Sequence, residues 1–127
     1  TFQYDNPKVK LDRRGVVTAE VDVTNTGSVP GKEVVELYVA APEGTMEKPA
    51  RELKGYAKTK ELSPGQTQTV TITLTTDDLS SFDEDLNAWV TDKGTYKVLF
   101  ASSVEDIRAG ADLNVRKRSG RSVLTKL

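Results

Sequence analysis

Three segments of the chain alternate apolar and polar residues with a period of two. Over 16–25, four apolar residues beginning with Val17 fall on one side, and threonine and acidic residues fall on the other. The segments 32–41 and 66–75 follow the same pattern. Successive side chains of a β-strand point to opposite faces, so this period is typical of strands that bury one face. The chain is therefore predicted to be built from half-buried strands.

Turn-forming residues separate these segments at intervals of roughly ten residues. They include Asn25-Thr26-Gly27, Ser63-Pro64-Gly65 and Lys93-Gly94. Short strands with frequent turns and no helical pattern between them predict an all-β, antiparallel, immunoglobulin-like sandwich of about seven strands. The strands are expected near residues 2–11, 16–25, 33–41, 52–60, 67–75, 86–91 with 95–102, and 109–115, with a short 3₁₀ turn over 76–79.

The chain length and the basic C-terminal segment set the predicted domain organisation. At 127 residues the chain is long enough for one domain with its own core. We predict a sandwich over 1–115 and a basic tail over 116–127, which holds five cations and no acidic residue. The tail is interpreted as a frayed terminus, with a docking arm for an acidic surface as the alternative.

One segment narrows the fold class. The run Asp92-Lys93-Gly94-Thr95-Tyr96-Lys97-Val98 has the spacing of a tyrosine corner, with Val98 where antibody domains carry a cysteine. Tyr96 and Val98 share a parity, so both are expected to face the core.

The composition excludes several kinds of site and partner. The chain contains no histidine and no cysteine, so a Ser-His-Asp triad, a histidine-bound zinc and a cysteine nucleophile cannot be built from it. Its 18 Lys and Arg nearly balance its 19 Asp and Glu, so no net basic field attracts nucleic acid or an anionic membrane. No apolar run approaches the length of a membrane-spanning helix, so no membrane insertion is expected.

Five motifs, in this order, resemble the fibronectin type III-like C-terminal domain of family 3 glycoside hydrolases. They are V-x-N-T-G at 23–27, G-x-E-V-V-x-L-Y-V at 31–39, R-E-L-K-G-Y at 51–56, L-x-P-G-x-x-x-x-V at 62–70 and G-x-Y-x-V at 94–98. The likeness covers most of the chain, from about Val17 to Val115.

The resemblance implies a non-catalytic structural module of a β-glucosidase or β-xylosidase. In that family the catalytic carboxylates lie on two upstream domains, so no catalytic, cofactor-binding or metal-binding residue is carried over to this chain. The implied partners are the catalytic domains of the parent glycosidase, no cofactor is implied, and a periplasmic or extracellular location is favoured. The alternatives are a carbohydrate- or cell-wall-binding accessory module and a free-standing surface interaction domain.

The segment from Pro49 to Tyr56 supplies the candidate docking residues. About ten residues separate Ala41 from Arg51, which is long for a connection between neighbouring strands. The resemblance implies that this loop docks on the catalytic domains, and the alternative is a solvated excursion. We expect Leu53 to anchor in the sandwich and Arg51, Lys54 and Tyr56 to be available to a neighbouring domain.

Aromatic and acidic residues provide two weaker candidates. Tyr38 is expected on an outer surface and Tyr56 at the sandwich edge, where the two could form a platform for sugar stacking. Trp89 is expected in the core. The acidic run 83–85 lacks the glycine turn typical of a calcium loop and is interpreted as a solvated hairpin.

Overall fold

The computed structural model describes residues 1–42 and 51–122. Over these residues the chain forms ten strands and a 3₁₀ turn at Thr76–Leu79. The strands are β1 Phe2–Leu11, β2 Val16–Asn25, β3 Val34–Ala40, β4 Glu52–Lys58, β5 Thr67–Thr75, β6 Ser81–Asp83, β7 Ala88–Thr91, β8 Gly94–Ser103, β9 Asp106–Val115 and β10 Ser119–Ser122.

Seven of the strands form the predicted antiparallel sandwich. One sheet has the order β1-β2-β5 and the other has the order β4-β3-β8-β9. The inward residues of both sheets form one apolar core. Val98 and Leu37 from the four-stranded sheet and Ile72 from the three-stranded sheet are all buried, whereas Thr71 beside Ile72 is exposed. The predicted faces of β2, β3, β5 and β8 are confirmed.

A third, small sheet with the order β10-β7-β6 was not predicted. The sixth predicted strand is in fact two strands, β7 and β8, which belong to different sheets. The chain turns between them at Asp92-Lys93-Gly94, where Gly94 has a φ of 138° and a Cβ would lie 2.8 Å from Pro42. Only glycine fits this crowded, left-handed turn.

The small sheet also corrects two predictions. Trp89 lies on β7, outside the sandwich, and is 41% exposed with its ring edge-on to Phe82, so the prediction of a core tryptophan is wrong. The tail is not frayed over Ser119–Ser122, because these residues pair with β7 as β10. The division of the chain at Val115 stays a prediction, although β9 does end there.

The tyrosine corner is confirmed. The Tyr96 hydroxyl donates a 2.8 Å hydrogen bond to the backbone carbonyl of Asp92, and the side chain is buried. Burial is the main cause that raises the pKa of Tyr96 to about 12, with the nearby charge of Asp92 acting in the same direction. The corner fixes the entry of β8 into the core.

Asn25 explains why two of the family motifs occur together. Its side-chain amide is buried and donates hydrogen bonds to the carbonyls of Val29, at 2.9 Å, and Leu62, at 2.8 Å. Its side-chain oxygen accepts a hydrogen bond from the amide of Gly27. A buried amide with satisfied donors and acceptor holds a turn in one conformation, so the motif at 23–27 is fastened to the motif that begins at Leu62.

Candidate docking surface

A β-bulge in β4 decides which of the candidate docking residues share a face. Leu37 pairs with Gly55 and Tyr38 pairs with Leu53, which leaves Lys54 as an extra residue. Gly55 faces the core, where a Cβ would lie 3.1 Å from the Cγ2 of Ile72. The inserted residue reverses the alternation, so Leu53 points outward and is 52% exposed. The prediction that Leu53 anchors in the sandwich is therefore wrong.

The outer face of the four-stranded sheet carries apolar side chains from three neighbouring strands. Tyr38 on β3 lies between Leu53 on β4 and Leu99 on β8. Tyr56 is 66% exposed beside Glu36, and Val34 on the same face of β3 is 38% exposed. We call these six residues, five apolar ones and the acid Glu36, the outer apolar face.

Tyr38 lies on this face, as its parity predicted, but it is only 6% exposed. Its hydroxyl donates a 2.9 Å hydrogen bond to Oε1 of Glu36. Burial raises the pKa of the Tyr38 hydroxyl; the hydrogen bond and charge of Glu36 add to this, and the charge of Arg51 opposes it. A ring this buried cannot offer a face to a sugar, so a stacking platform made from Tyr38 and Tyr56 is not present.

Arg51 is held by the domain itself. Its guanidinium Nη2 donates a 2.6 Å hydrogen bond to the carbonyl of Val104 in the turn between β8 and β9. The arginine thereby connects the start of β4 to that turn, and Val104 adds an apolar side chain that is 51% exposed.

Lys54 lies away from the outer apolar face. Its ammonium Nζ is 3.2 Å from Oε2 of Glu52, and it lines a small cleft at the sandwich edge with Leu79 and the core residue Tyr96. The structure therefore places Tyr56 on the outer apolar face, Arg51 at the β8–β9 turn and Lys54 in the cleft at the sandwich edge. Whether any of the three binds a neighbouring domain stays a prediction. The loop proposed to dock with them, 43–50, lies outside the described residues.

A cluster of polar side chains joins the two sheets at one edge of the sandwich. The Tyr4 hydroxyl on β1 donates to Oε2 of Glu33 at 2.9 Å, and burial is the main cause that raises the pKa of Tyr4. Arg108 on β9 lies over the Tyr4 ring and donates to the carbonyl of Phe2 at 2.9 Å, while its Nε donates to Asp106. Each of these groups contacts another member of the cluster, which is the arrangement of a structural tie.

Asp83, the first residue of the acidic run 83–85, has structural partners. Oδ1 of Asp83 accepts the amides of Asp85 and Leu86 in the turn of the β6–β7 hairpin, and Arg118 contacts its other oxygen at 3.3 Å. Within residues 1–42 and 51–122, no group of three or more acidic side chains is arranged to hold a metal ion. Over the same residues, no helix is long and apolar enough to cross a membrane.

The sequence did not predict Glu36, Leu99 or Val104 as parts of this surface. The only signal available was the parity of Glu36 with Tyr38. The contribution of Val104 depends on the return of the β8–β9 turn towards Arg51, which no local pattern encodes.

Residues 33–104, more than half of the chain, match the fibronectin type III-like domain family. The chain belongs to this family. The match runs from the start of β3 into the β8–β9 turn and includes Arg51, Lys54 and Tyr56.

Relatives of this fibronectin type III-like domain are β-glucosidases. The chain is 48% identical over 106 residues to β-glucosidase A of Butyrivibrio fibrisolvens, which covers 80% of this chain and 13% of that protein. It is 34% identical over 119 residues to β-glucosidase B of Emericella nidulans, covering 94% of this chain and 14% of that protein. The domain therefore corresponds to a small part of much longer glycoside hydrolases.

Solved structures agree with the sequence relatives. The domain superposes on β-glucosidase 3B from Thermotoga neapolitana with a TM-score of 0.89 and 32% identity, covering 96% of this chain and 17% of that one. A family 3 β-glucosidase from Bifidobacterium adolescentis gives a TM-score of 0.82 at 30% identity, covering 91% and 17%. The resemblance to the domain of family 3 glycoside hydrolases is confirmed.

Proposed function

We propose that the domain is a non-catalytic structural module of a family 3 glycoside hydrolase similar to a β-glucosidase. In this proposal the outer apolar face packs on the catalytic part of the longer polypeptide, here called the parent enzyme, and stabilises it. The observation that carries the proposal is the exposure of Leu53 and Tyr56 on an ordered sheet of a chain that spans only 13–14% of its first relatives.

The chemistry of the face supports a protein partner. Apolar side chains on a rigid sheet gain free energy when another surface covers them, at about 25 cal/mol per Å² of apolar area. The burial of Tyr38 removes one half of the aromatic pair that a sugar-binding role required, so the packing role is preferred over the carbohydrate-binding alternative.

A rigid support can affect catalysis without taking part in it. Displacing a reacting group by about 1 Å can reduce a rate on the order of a hundredfold. A module that holds two catalytic domains in register would therefore influence both the melting temperature and the activity of the parent enzyme.

The test compares two double variants in the parent enzyme and in the isolated chain. Leu53→Asp with Tyr56→Asp alters the outer apolar face, and Thr71→Asp with Thr73→Asp introduces the same charges on exposed positions of β5. We expect the first pair to lower the melting temperature of the parent enzyme by several degrees and to change the isolated chain little. The control pair should change neither. If the two double variants of the parent enzyme had the same melting temperature, the proposal would be contradicted.

A separate assay tests the non-catalytic role. The purified chain is expected to show no turnover of nitrophenyl glucosides or xylosides. Hydrolysis that persists through repurification and follows the protein would contradict the structural role.

A further inference from the structure

An isolated antiparallel bridge pairs Gly31 with Leu62 near one end of the sandwich. An open groove of about 660 Å³ lies along an edge of the sandwich towards its opposite end. It lies between β1 and β9, the edge strands of the two sheets over the described residues. At one end Arg108 bridges these strands by reaching from β9 to the carbonyl of Phe2. Towards the other end the groove separates them. Its volume lies within the range of ligand-sized clefts, roughly 300–1,000 Å³.

The floor of the groove is aliphatic. Val9 and Leu11 of β1 are half-buried there, and Leu113 and Val115 of β9 lie beneath them as part of the core. Among the described residues, the lining includes no aromatic ring. Sugar rings bind by stacking on aromatic side chains, whereas an aliphatic floor suits an aliphatic side chain of a protein.

The rim of the groove is basic. Arg13, Arg116 and Lys117 line it and are exposed, and over the described residues none of them forms an ion pair. The two carboxylates of the lining are already engaged. Asp112 pairs with Lys97 at 2.9 Å, and Asp12 accepts the amides of Arg14 and Val16. The cations available to a partner therefore exceed the anions.

The start of the tail is held beside the groove by its own contacts. Arg118 donates to Asp92 at 3.0 Å and to Asp83 at 3.3 Å, and β10 pairs with β7 directly after it. These contacts fix the backbone on the C-terminal side of Lys117, and β9 fixes it on the N-terminal side of Arg116. The basic rim is an ordered feature of the domain.

We propose that this groove binds an extended acidic segment of the parent enzyme, in which carboxylates flank an aliphatic residue. The aliphatic side chain would enter the floor between β1 and β9, and the carboxylates would pair with Arg13, Arg116 and Lys117. An extended segment suits the site because both walls are strand edges. Because the segment and the domain belong to the same polypeptide, the local concentration of the segment at the groove is high. Ion pairs that are individually weak are therefore enough to hold it there. The inference rests on the proposed function for its source, and the groove is a contact separate from the outer apolar face.

The first experiment measures the groove chemistry in the isolated chain. The probes are the peptide acetyl-EELEELE-amide and its glutamine counterpart acetyl-QQLQQLQ-amide, titrated at low and high salt while backbone amide shifts are followed by NMR. We expect the acidic peptide to shift the amides of Val9, Leu11 and Leu113, with an affinity that falls as salt rises. The glutamine peptide should bind at least about tenfold more weakly.

A matched pair of triple variants assigns the binding to the rim. Arg13→Glu, Arg116→Glu and Lys117→Glu reverse the rim, whereas Lys32→Glu, Lys58→Glu and Lys60→Glu make the same charge change at exposed positions near the other end of the sandwich. Both variants are first checked for an unchanged melting transition. The rim variant should lose binding by about tenfold or more and the control variant by much less. Equal loss in both, or no binding by the unmodified chain, would overturn the proposal.

The second experiment tests the source of the segment. In the parent enzyme, the rim variant is expected to lower the melting temperature relative to the control variant. Peptide binding without this effect would overturn the assignment to the parent enzyme. The variants at Leu53 and Tyr56 test the proposal for the outer apolar face separately, so the two proposals can fail independently.

Discussion

The two outer faces of the sandwich differ, although the strands beneath them follow the same alternation. On the three-stranded sheet the outward residues of β5, and those of β2 from Thr18 to Thr24, are threonines and carboxylates. Asp22 accepts hydrogen bonds from Thr69 at 2.7 Å and from Asn6 at 3.0 Å. On the four-stranded sheet the corresponding positions include the exposed residues Leu53 and Tyr56. Folding requires only that one face of each sheet be buried. The apolar residues on the second outer face are therefore not needed for the core, which supports a role in binding a partner.

The largest expected effect contrasts the core with the polar outer face. Val98→Asp places an unpaired carboxylate between the sheets, where Val98 is only 1% exposed, and should destabilise the domain by more than about 4 kcal/mol or unfold it. Thr71→Asp on the polar outer face should cost less than about 1 kcal/mol. Chemical denaturation of both variants measures the difference. If the two midpoints coincide, the assignment of strand faces is wrong.

A second contrast compares one outward residue on each of the two outer faces. Tyr38→Ala removes a buried ring and the hydrogen bond to Glu36, and should lower the free energy of unfolding by about 2–4 kcal/mol. Thr73→Ala, at an exposed position of β5, should cost less than about 1 kcal/mol. Denaturant titrations of the isolated domain check both values. Similar losses would show that the two faces do not differ in packing.

The smallest effect is a pH dependence on the polar face. The hydrogen bond from Asn6, followed by that from Thr69, lowers the pKa of Asp22 in the folded state. The unfolded pKa is about 3.9, so the contribution of the carboxylate is present above that pH and is lost as the pH falls through the lower, folded pKa. Asp22→Asn should therefore melt below the unmodified domain at pH 7, and the difference should shrink below about pH 4.

The control for this titration is Glu84→Gln, which removes one carboxylate charge at an exposed turn. Its melting temperature should follow that of the unmodified domain from pH 7 to pH 3. A constant difference between Asp22→Asn and the unmodified domain over this range would show that the carboxylate charge does not contribute.

Periodic sequence predicted the sandwich, and short or shifted segments were missed. The valines of β2 and the threonines of β5 repeat often enough to fix which side faces the core, and the spacing from Asp92 to Val98 predicted the tyrosine corner. β6 has three residues and β10 has four, which is too short for a period to be recognised. The small sheet also pairs β7 with β10, which is distant in sequence, so the surroundings of Trp89 depend in part on a contact that no local pattern contains.

The candidate docking surface was predicted less completely, because one inserted residue changes the face of every side chain beyond it. The bulge at Lys54 moves Leu53 from the core to the outer apolar face and separates Lys54 from Arg51. Gly55 was the available signal, since a glycine inside a strand often marks a bulge or a close backbone approach. The capture of Arg51 by the carbonyl of Val104 joins residues 53 positions apart and could be found only in the folded domain.

The accessibility of the two outer faces in the parent enzyme tests the central claim most directly. The chain contains no cysteine, so Tyr56→Cys and Thr71→Cys each introduce a single thiol into this domain, both at exposed positions. Maleimide labelling of the isolated domain should proceed at similar rates for the two variants. In the parent enzyme, the thiol at position 56 should react at least about tenfold more slowly than in the isolated domain, a lower limit set by a partner covering it in about nine molecules of ten, and the thiol at position 71 should react as before. Undiminished labelling at position 56 would contradict the claim that the outer apolar face packs on the rest of the enzyme.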